Sequence, residues 1–378
     1  MGDALGIEHL FELSGSEKVW AFFTPLILFA AFFAAQLILP ARKVTGYVKN
    51  PETGQPRPYR LNGLLVFVIA QILWATEVTG LDRDWFYRST LWAVLGGTVF
   101  TTLFAIVSVL SQPKGEIQNI WWALWEGRAK EFQLFGERID IKMWFYVVGG
   151  TMLSLNALSG AVWHSENVPG TNPGVYMYAA FMTFYVFDYF VFERVQLYTY
   201  DLIHEHLGFK LWWGGLVVYG WIFIIPLWGM AAYDNPDMSY AWRNFWLVVS
   251  ASLFVIGWSI SRGANLQKYM FKRFPDRHFL GLIPPTHIQA GERKILISGY
   301  WGAARHFNYL GEGFLCIGIA LSFGHFGVLW AWTYAIFLIT FFTFRQRFDD
   351  KECAQKYGPE KWAEYQEKVS YRIFPGVY

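Results

Sequence analysis

Apolar runs about as long as a bilayer is thick recur along the whole chain, and they limit what it can fold into. Nine such runs of roughly 16 to 21 residues can be drawn, at 19–39, 62–79, 91–110, 143–162, 176–192, 211–230, 245–260, 311–326 and 328–344. A helix needs about 20 apolar residues to cross a bilayer, and only helices and closed barrels can span one. The pattern therefore predicts an all-α polytopic membrane protein with about nine or ten transmembrane helices, the last two forming a hairpin near Gly327.

The composition supports a membrane protein and argues against other classes. Hydrophobic residues make up 54% of the 378 residues and charged residues only 16%, whereas about 25% charged is usual in a soluble domain. The two cysteines give no disulfide framework. The net charge of +2 comes without a basic stripe interleaved with aromatics, so no nucleic-acid partner is expected. The acidic N-terminus is not expected to be a secretory signal, and we expect a single integral-membrane domain over residues 1–378.

The charges of the connecting segments predict which side of the membrane each one faces. Segment 40–61 carries five basic residues and one acidic residue, and segment 261–298 carries seven basic and two acidic residues. Because cytoplasmic loops are enriched in lysine and arginine, both segments are predicted to be cytoplasmic. Alternation then puts 112–141, 193–210 and the C-terminus on that side, in a bacterial inner membrane or the endoplasmic reticulum, with the N-terminus outside.

The polar end of the chain, residues 345–378, carries the densest chemistry. Four of its residues are spaced four apart and would share one face of a helix, namely Arg345, Asp349, Cys353 and Tyr357. Such a face offers a cation, a carboxylate, a thiol and a phenol to a ligand. A solvated helix that caps a membrane domain fits the same periodicity, so both interpretations stay open on periodicity alone.

Basic and aromatic residues upstream of this end can hold a nucleotide. Lys268 and Lys272 are one helical turn apart, and cations suit phosphates. Trp301 and Tyr309 can stack on a ring. No GxGxxG or Walker sequence is present, so a Rossmann or P-loop site is not predicted. These residues alone leave the cofactor unidentified.

Ionisable residues also gather in segment 176–210, where charges at membrane depth are costly and usually face a cavity or a partner. The candidates are Tyr185, Asp188, Glu193 and His204. From Glu193 onward, the end of a helix at the membrane interface is an equally simple explanation.

The histidines are scattered without HExxH-like or CxxC spacing, so no metal site is predicted. No GxSxG elbow is present, so a serine hydrolase is not predicted either.

Three long motifs in the C-terminal half resemble one known family. They read ANLQKYMFKRFP from residue 264, GYWGAARHFNYLGE from residue 299 and DDKECAQKYGPEKWAEYQEKVSYRIFPGVY from residue 349. Looser likeness covers LPARKVTGYVKNPETGQPRPYRLNGL near the start and YVFDYFVFERVQLYTYDLIHEHLGF in the middle, so the resemblance spans most of the chain. All of these stretches are similar to the membrane sterol reductases, which include C14, C7 and C24(28) reductases and the sterol-reductase domain of the lamin B receptor.

The resemblance implies a ten-helix, NADPH-dependent reductase of a sterol carbon–carbon double bond, working in the lipid bilayer. It implies N-terminal helices over 1–175 and a catalytic and cofactor-binding half over 176–378. Carried over motif by motif, the cofactor contacts are Lys268, Lys272, Leu296, Trp301, Asn308, Tyr309, Arg345, Asp349, Cys353, Tyr357 and Tyr365.

The sequence departs from the family pattern on the implied substrate side. The glycine and the tryptophan of the family's YVGDALW are replaced by Phe187 and Val191, and its DGFGF is EHLGF at 205–209. These departures concern which sterol is used. The C14 double bond is the leading prediction.

Reducing a double bond requires hydride on one carbon and a proton on its neighbour, so the site needs an acid, and the family chemistry is usually drawn with protonation first. Asp349 is one predicted donor or relay, provided that burial keeps it protonated. Tyr185 is the other, because a phenol with a usual pKa of about 10 is protonated at neutral pH.

Other activities remain open. An isoprenylcysteine-type carboxyl methyltransferase has a similar C-terminal end, but it carries RHPxY where this chain reads RHFNY at 305–309. A steroid 5α-reductase-like enzyme is a nearer alternative. A sterol-binding scaffold without activity is the non-enzymatic one.

Overall fold

The computed structural model describes residues 6–50, 53–113 and 117–378. Backbone contacts divide the chain into two compact units, unit 1 (Met1–Pro236) and unit 2 (Asp237–Tyr378). Helices dominate the described residues, and their strands form three separate two-stranded antiparallel hairpins. The helical class is therefore confirmed, with small hairpins that the hydropathy pattern did not predict. The predicted functional division at 175/176 falls inside unit 1 and stays a prediction.

One long helix forms the centre of unit 1. The helices of this unit are, in chain order, α1 (Gly15–Ile38), α2 (Gly63–Ala75), α3 (Trp85–Arg88), α4 (Thr90–Leu110), α5 (Ile120–Glu126), α6 (Ile141–Asn167), α7 (Pro173–Val191), α8 (Glu193–Gln196), α9 (Tyr200–His204), α10 (Phe209–Trp213) and α11 (Ile225–Met230). A 3-10 turn at Glu8–Phe11 precedes α1, and a π-helical segment at Gly214–Ile222 lies between α10 and α11. The central helix is α6, because 83% of its most apolar stretch is buried.

Local sequence explains where α6 begins and how closely it packs. Asp140 caps its N-terminus, since the Oδ1 atom accepts a hydrogen bond of 3.0 Å from the backbone N–H of Met143. Further along, a Cβ added to Gly149 would lie 2.3 Å from the carbonyl oxygen of Gly215. Only a glycine permits the backbone of the π-helical segment to approach α6 this closely.

The predicted cytoplasmic segment 40–61 folds as a hairpin. Strand β1 (Arg42–Lys49) pairs with β2 (Pro56–Leu61), with Arg42 opposite Leu61. Val44, Tyr59 and Leu61 are buried, and they form one cluster with Met143, Leu197 and Leu202. A second, shorter hairpin joins β3 (Gln133–Leu134) to β4 (Ile139–Asp140) just before α6.

Unit 2 contains two long helices packed on a shorter one. Its elements are α12 (Tyr240–Arg273), β5 (His287–Ala290), β6 (Arg293–Leu296), α13 (Tyr300–Ala303), α14 (Phe307–Ser322), α15 (Leu329–Tyr357) and α16 (Pro359–Lys368). Three glycines bring α12 and α14 together. A Cβ at Gly257 would lie 2.4 Å from the Leu315 nitrogen, one at Gly311 would lie 2.5 Å from the Ser261 nitrogen, and Gly318 is almost as crowded.

Five stretches of the described residues are long and apolar enough to cross a membrane: α1, α4, α6, the series Phe209–Met230 and α12. Helices α2 and α14 are apolar but shorter. The predicted runs at 176–192 and 328–344 lie in α7 and α15, whose tyrosine, tryptophan and threonine residues make them less apolar. All nine predicted runs therefore coincide with helical segments, and the polytopic membrane class is confirmed. The total of nine or ten spans stays a prediction.

Two boundaries differ from the prediction. Segment 261–298 is not a loop throughout, because α12 continues to Arg273, and its C-cap is Phe274, the residue before Pro275. A proline disfavours the helical conformation at the preceding residue, whereas polar side chains alone do not end a helix. Likewise, the apolar run 328–344 and the polar face that follows it form one helix, α15, which ends at Gly358 with φ of +88°.

Candidate functional site

A tyrosine, an aspartate and an arginine meet where the start of α14 lies against α15. The hydroxyl of Tyr309 donates a short hydrogen bond to Oδ2 of Asp349. The Nε atom of Arg345, one turn earlier on α15, lies 3.6 Å from Oδ1 of Asp349. The Tyr309 ring stacks on Phe342 with the ring centroids 4.3 Å apart. The structure thus brings together three of the predicted residues and fixes the tyrosine ring from its face.

The neighbouring carboxylate, Asp350, holds a separate buried group of charges that the sequence analysis did not single out. Its Oδ1 atom lies 3.1 Å from Nε2 of His306 and 3.7 Å from Nε of Arg305. Its Oδ2 atom lies 3.7 Å from Nε of Arg372. Only 9% of Asp350 and 6% each of Arg305 and His306 are exposed. The signal in the sequence was the Asp349–Asp350 pair, because consecutive residues on a helix point about 100° apart and reach different partners.

A second part of the candidate site is an aromatic face beside a cation on α12. The Lys268 ammonium lies 4.7 Å from the centroid of the Trp301 ring. The indole N–H of Trp301 donates a hydrogen bond of 2.8 Å to the Ala264 carbonyl, and its own carbonyl accepts one of 3.1 Å from the Tyr365 hydroxyl. Trp301 is therefore fixed at both its ring and its backbone, which leaves its orientation little freedom.

Gln267, which no sequence motif singled out, connects α12 to the segment 298–300 that follows β6. Its side-chain amide donates to the Ser298 carbonyl at 3.0 Å and accepts from the Tyr300 backbone N–H at 3.0 Å. Only 2% of Gln267 is exposed. Gly299 has φ of +59°, and a Cβ there would lie 2.4 Å from the Gln267 amide. The glycine is thus required by both the backbone conformation and the space available.

Several cations gather between α12 and the end of α15. Burial lowers the pKa of Lys356, and the nearby positive charges of Lys268 and Arg293 lower it further. Lys272 also interacts electrostatically with Lys268 and Lys356. Burial raises the pKa of the Cys353 thiol, although Lys268 and Lys356 oppose this shift. Like charges that destabilise one another in this way form a suitable site for an anion such as a phosphate.

The remaining predicted cofactor residues lie in the same unit. Cys353 and Tyr357 pack against a buried cluster that includes Ile288, Ile295, Trp362 and Tyr365. Leu296 ends strand β6 and is 8% exposed. Asn308 lies in the first turn of α14, next to Tyr309. Residues 345–357 are therefore helical throughout, as their four-residue spacing predicted. Part of the predicted face packs against the β5–β6 hairpin.

The substrate-side candidates all belong to unit 1. Tyr185 and Asp188 lie on α7, Glu193 begins α8 and His204 ends α9. Asp188 is 5% exposed and Glu193 is 6% exposed. Because these residues and the cofactor candidates occupy different units, any pairing of Tyr185 with Asp349 stays a prediction.

Glu193 has the most distinctive surroundings of the four. Its Oε2 atom accepts a hydrogen bond of 3.2 Å from the backbone N–H of Gly63, the first residue of α2. Burial raises the pKa of Glu193 to about 8, and this hydrogen bond opposes the shift only in part. Glu193 therefore joins α8 to the start of α2.

Comparison with known proteins identifies related sequences along the whole chain. The model of the ergosterol biosynthesis ERG4/ERG24 family matches residues 5–378. A Delta(14)-sterol reductase of Arabidopsis thaliana is 30% identical over 372 residues, which cover 93% of this chain and 95% of that protein. A Delta(14)-sterol reductase of Methylotuvimicrobium alcaliphilum is 28% identical, covering 93% of this chain and 82% of the relative. A probable 7-dehydrocholesterol reductase of Acanthamoeba polyphaga mimivirus is 27% identical, covering 89% and 78% respectively.

Proposed function

Because the chain belongs to the ergosterol biosynthesis ERG4/ERG24 family, we propose that it reduces a carbon–carbon double bond in a sterol with NADPH as hydride donor. The observation that carries the proposal is the Tyr309–Asp349–Arg345 contact in the same unit as the cation group around Lys268. The C14 double bond is the first candidate, since two of the relatives are named for that position.

The chemistry of unit 2 suits a phosphorylated dinucleotide. Lys268 and Lys272 offer point charges for phosphates, and Arg345 offers a planar guanidinium that can bind oxygen atoms in pairs. The fixed ring of Trp301 offers a surface on which a base can stack. Mutual repulsion within the group of Lys268, Lys356 and Arg293 is relieved when an anion binds. When bound, the reduced nicotinamide supplies the hydride.

The contact between Tyr309 and Asp349 suggests a source for the proton that the double bond receives. The Tyr309 hydroxyl donates and the Asp349 carboxylate accepts, so the two side chains form a path along which a proton can move. The Arg345 guanidinium lies beside the same carboxylate, with its Nε atom 3.6 Å from Oδ1. In this arrangement the Tyr309 hydroxyl can give its proton to the alkene carbon, and Asp349 can return a proton taken from solvent to the tyrosine, so Asp349 acts as a relay. Tyr185 remains the second candidate donor.

The alternatives are less well supported. A methyltransferase of the isoprenylcysteine carboxyl type is disfavoured by Phe307, which stands where those enzymes carry a proline, and by the family membership. An inactive sterol-binding scaffold has no need to place a tyrosine hydroxyl and an arginine on the same carboxylate. A sterol reductase accounts both for the family membership and for the contacts of Asp349 with Tyr309 and Arg345.

The proposal is tested by incubating the purified protein with NADPH and a panel of sterols unsaturated at C7, C14, C24 or C24(28). Mass spectrometry is expected to show a gain of two hydrogens in one member of the panel, the C14-unsaturated sterol first. Replacing NADPH with S-adenosylmethionine is the control for the methyltransferase alternative. Methyl transfer, or tighter binding of S-adenosylmethionine than of NADPH, would contradict the reductase.

A further inference from the structure

Two consecutive carboxylates of α15 hold two stacked rings of the segment that begins α14. Asp349 accepts the hydrogen bond of Tyr309, and Asp350 contacts Nε2 of His306 at 3.1 Å. The rings of His306 and Tyr309 are stacked, with centroids 5.3 Å apart and planes 9° apart. The position of each ring is therefore linked to that of the other through α15.

The segment is also held from its other side by the end of the chain. Nη1 of Arg305 donates hydrogen bonds of 2.7 and 3.0 Å to the carbonyls of Val369 and Ser370. The backbone N–H of His306 donates one of 2.7 Å to the carbonyl of Arg372. The Arg372 side chain then returns to Asp350, with its Nε atom 3.7 Å from Oδ2. Asp350 is thus the point at which the start of α14, α15 and the residues after α16 meet.

A group of buried charges is a costly way to join three segments. Removing charges from water carries a penalty that ion pairing repays only with good geometry, so apolar side chains of similar size would often stabilise such a junction as well or better. Both arginine contacts to Asp350, from Arg305 and Arg372, are 3.7 Å long, which is beyond a hydrogen bond. Stability alone therefore explains the group poorly, whereas control of the orientation of His306 and Tyr309 explains it well.

We propose that Asp350 is a positioning residue for the reduction: through His306 it holds the Tyr309 ring where its hydroxyl meets Asp349. This inference rests on the proposed function and adds a residue that does not itself contact the reacting atoms. Misplacing a catalytic group by about 1 Å can reduce turnover about a hundredfold.

Kinetics of variants provide the first test. D350A removes the contact to His306, whereas D350N keeps an oxygen that can accept a hydrogen bond there. We expect kcat to fall about tenfold or more in D350A and less in D350N, with KM for NADPH within about threefold in both. H306F keeps a ring for stacking but loses Nε2, and it is expected to resemble D350A. The double variant is expected to be no worse than D350A alone, because both changes remove one interaction.

The matched control is Ser250→Ala, which removes a buried hydrogen bond of 2.7 Å to the Gly318 carbonyl between α12 and α14. It is expected to lower Tm while leaving kcat within about twofold of the unmodified protein. If D350A lowers Tm but leaves kcat unchanged, as S250A does, Asp350 is only structural and the proposal is wrong. Additive effects of D350A and H306F would also overturn it. If D350A does not fold, D350N and H306F decide the question.

A second measurement separates this inference from the proposed function. Thermal unfolding of D350A, Y309F and the double variant in detergent reports the coupling between the two residues without any substrate. We expect a non-additive change in Tm. If the unmodified protein reduces no sterol in the panel, the proposed function fails, yet this coupling still tests the link from Asp350 to Tyr309. Additive Tm changes would overturn the link even in an active enzyme.

Discussion

The contact between the Tyr309 hydroxyl and the Asp349 carboxylate determines how the candidate site handles a proton. Arg345 lies beside the same carboxylate, with its Nε atom 3.6 Å from Oδ1. We therefore assign Arg345 to binding the cofactor phosphates and Asp349 to proton transfer. Variants of these residues are expected to separate cofactor binding from chemistry.

The first prediction concerns Asp349 and Arg345. D349N is expected to keep NADPH binding within a few-fold but to cut turnover about a hundredfold or more, because an amide cannot take up and pass on a proton as a relay does. R345A is expected to weaken NADPH binding at least about tenfold, since a hydrogen bond to a charged group contributes about 1.5–3 kcal/mol. Cofactor titration and single-turnover rates measure the two effects. Normal turnover by D349N would make the face of α15 a cofactor clamp only, and Y185F then tests the second candidate donor.

The second prediction concerns pH and Glu193. Burial raises its pKa to about 8 in the folded protein, above about 4.3 in an unfolded chain. The folded state therefore binds a proton more tightly between these values, so the free energy of unfolding is expected to fall as pH rises from about 5 to about 8. Melting curves in detergent should show a smaller pH dependence for E193Q.

A surface carboxylate provides the control for Glu193. Hydrogen bonds from Lys361 and Lys368 lower the pKa of Glu364 to about 2. Glu364 is thus ionised in the folded protein throughout this pH range, and E364Q is expected to leave the slope of Tm against pH unchanged. Equal slopes for E193Q and the unmodified protein would contradict the assignment to Glu193.

At the scale of the elements, the glycine contacts between α12 and α14 set the framework of unit 2. Gly257 and Gly311 place the two backbones so close that a methyl group at either position would meet backbone atoms at 2.4–2.5 Å. Helix α12 carries Lys268 and α14 begins with Asn308 and Tyr309, so this crossing fixes the distance between the two parts of the candidate site.

The third prediction follows from that crossing. G257A is expected to destabilise the protein by about 1–3 kcal/mol, as overpacking usually does, even though alanine favours a helix by about 1 kcal/mol relative to glycine. Gly313 lies on α14, and a Cβ there would meet no atom within 4 Å beyond its chain neighbours and the nearby backbone of its own helix, so G313A is expected to be neutral or slightly stabilising. Unfolding curves in denaturant compare the two. Equal changes in the free energy of unfolding for G257A and G313A would show that the packing of α12 on α14 does not depend on the small size of Gly257.

Some elements could be predicted from the sequence alone and others could not. The four-residue spacing of Arg345, Asp349, Cys353 and Tyr357 predicted the face of α15, because helical periodicity is a local property. The loop assigned to 261–298 was partly wrong, since hydropathy marks where a helix leaves the membrane rather than where it ends. The β1–β2 hairpin was missed for a related reason: its burial depends on Met143 and Leu202, which are distant in sequence.

The contacts of the candidate site were harder to predict than its residues. Motif resemblance named Tyr309 and Asp349, but it did not indicate that they bond to each other. Asp350 and Gln267 were missed because their partners, at His306 and Ser298, are more than thirty positions away. Such pairings depend on how α12, α14 and α15 pack, and no local pattern encodes that packing.

At the scale of the whole molecule, composition and apolar runs were sufficient for the membrane class, and the family match extends over residues 5–378. The orientation in the membrane is a proposal based on the basic residues of segment 40–61 and of 261–298. It places the proposed cofactor site on the cytoplasmic side, where NADPH is available.

The fourth prediction tests this orientation by cysteine labelling. Gln355 is exposed on α15. Asp82 is exposed in segment 80–90, which follows the predicted span after the cytoplasmic segment 40–61 and is therefore predicted by alternation to face outside. In intact cells, Q355C is expected to be protected from a membrane-impermeant thiol reagent, whereas D82C is expected to react. The protein with its two natural cysteines gives the background signal. Labelling of Q355C from outside would reverse the orientation and remove the proposed site from the cytoplasm.

The most direct measurement of the central claim follows the hydride itself. The purified protein is incubated in ordinary water with a C14-unsaturated sterol and NADPH that carries deuterium at both positions of nicotinamide C4. The product is analysed by mass spectrometry. We expect a reduced sterol with one deuterium from the cofactor. With unlabelled NADPH in heavy water we again expect one deuterium, now from the solvent. A reduced sterol without cofactor deuterium, or no reduced sterol from any member of the panel, would contradict hydride transfer from NADPH to a sterol.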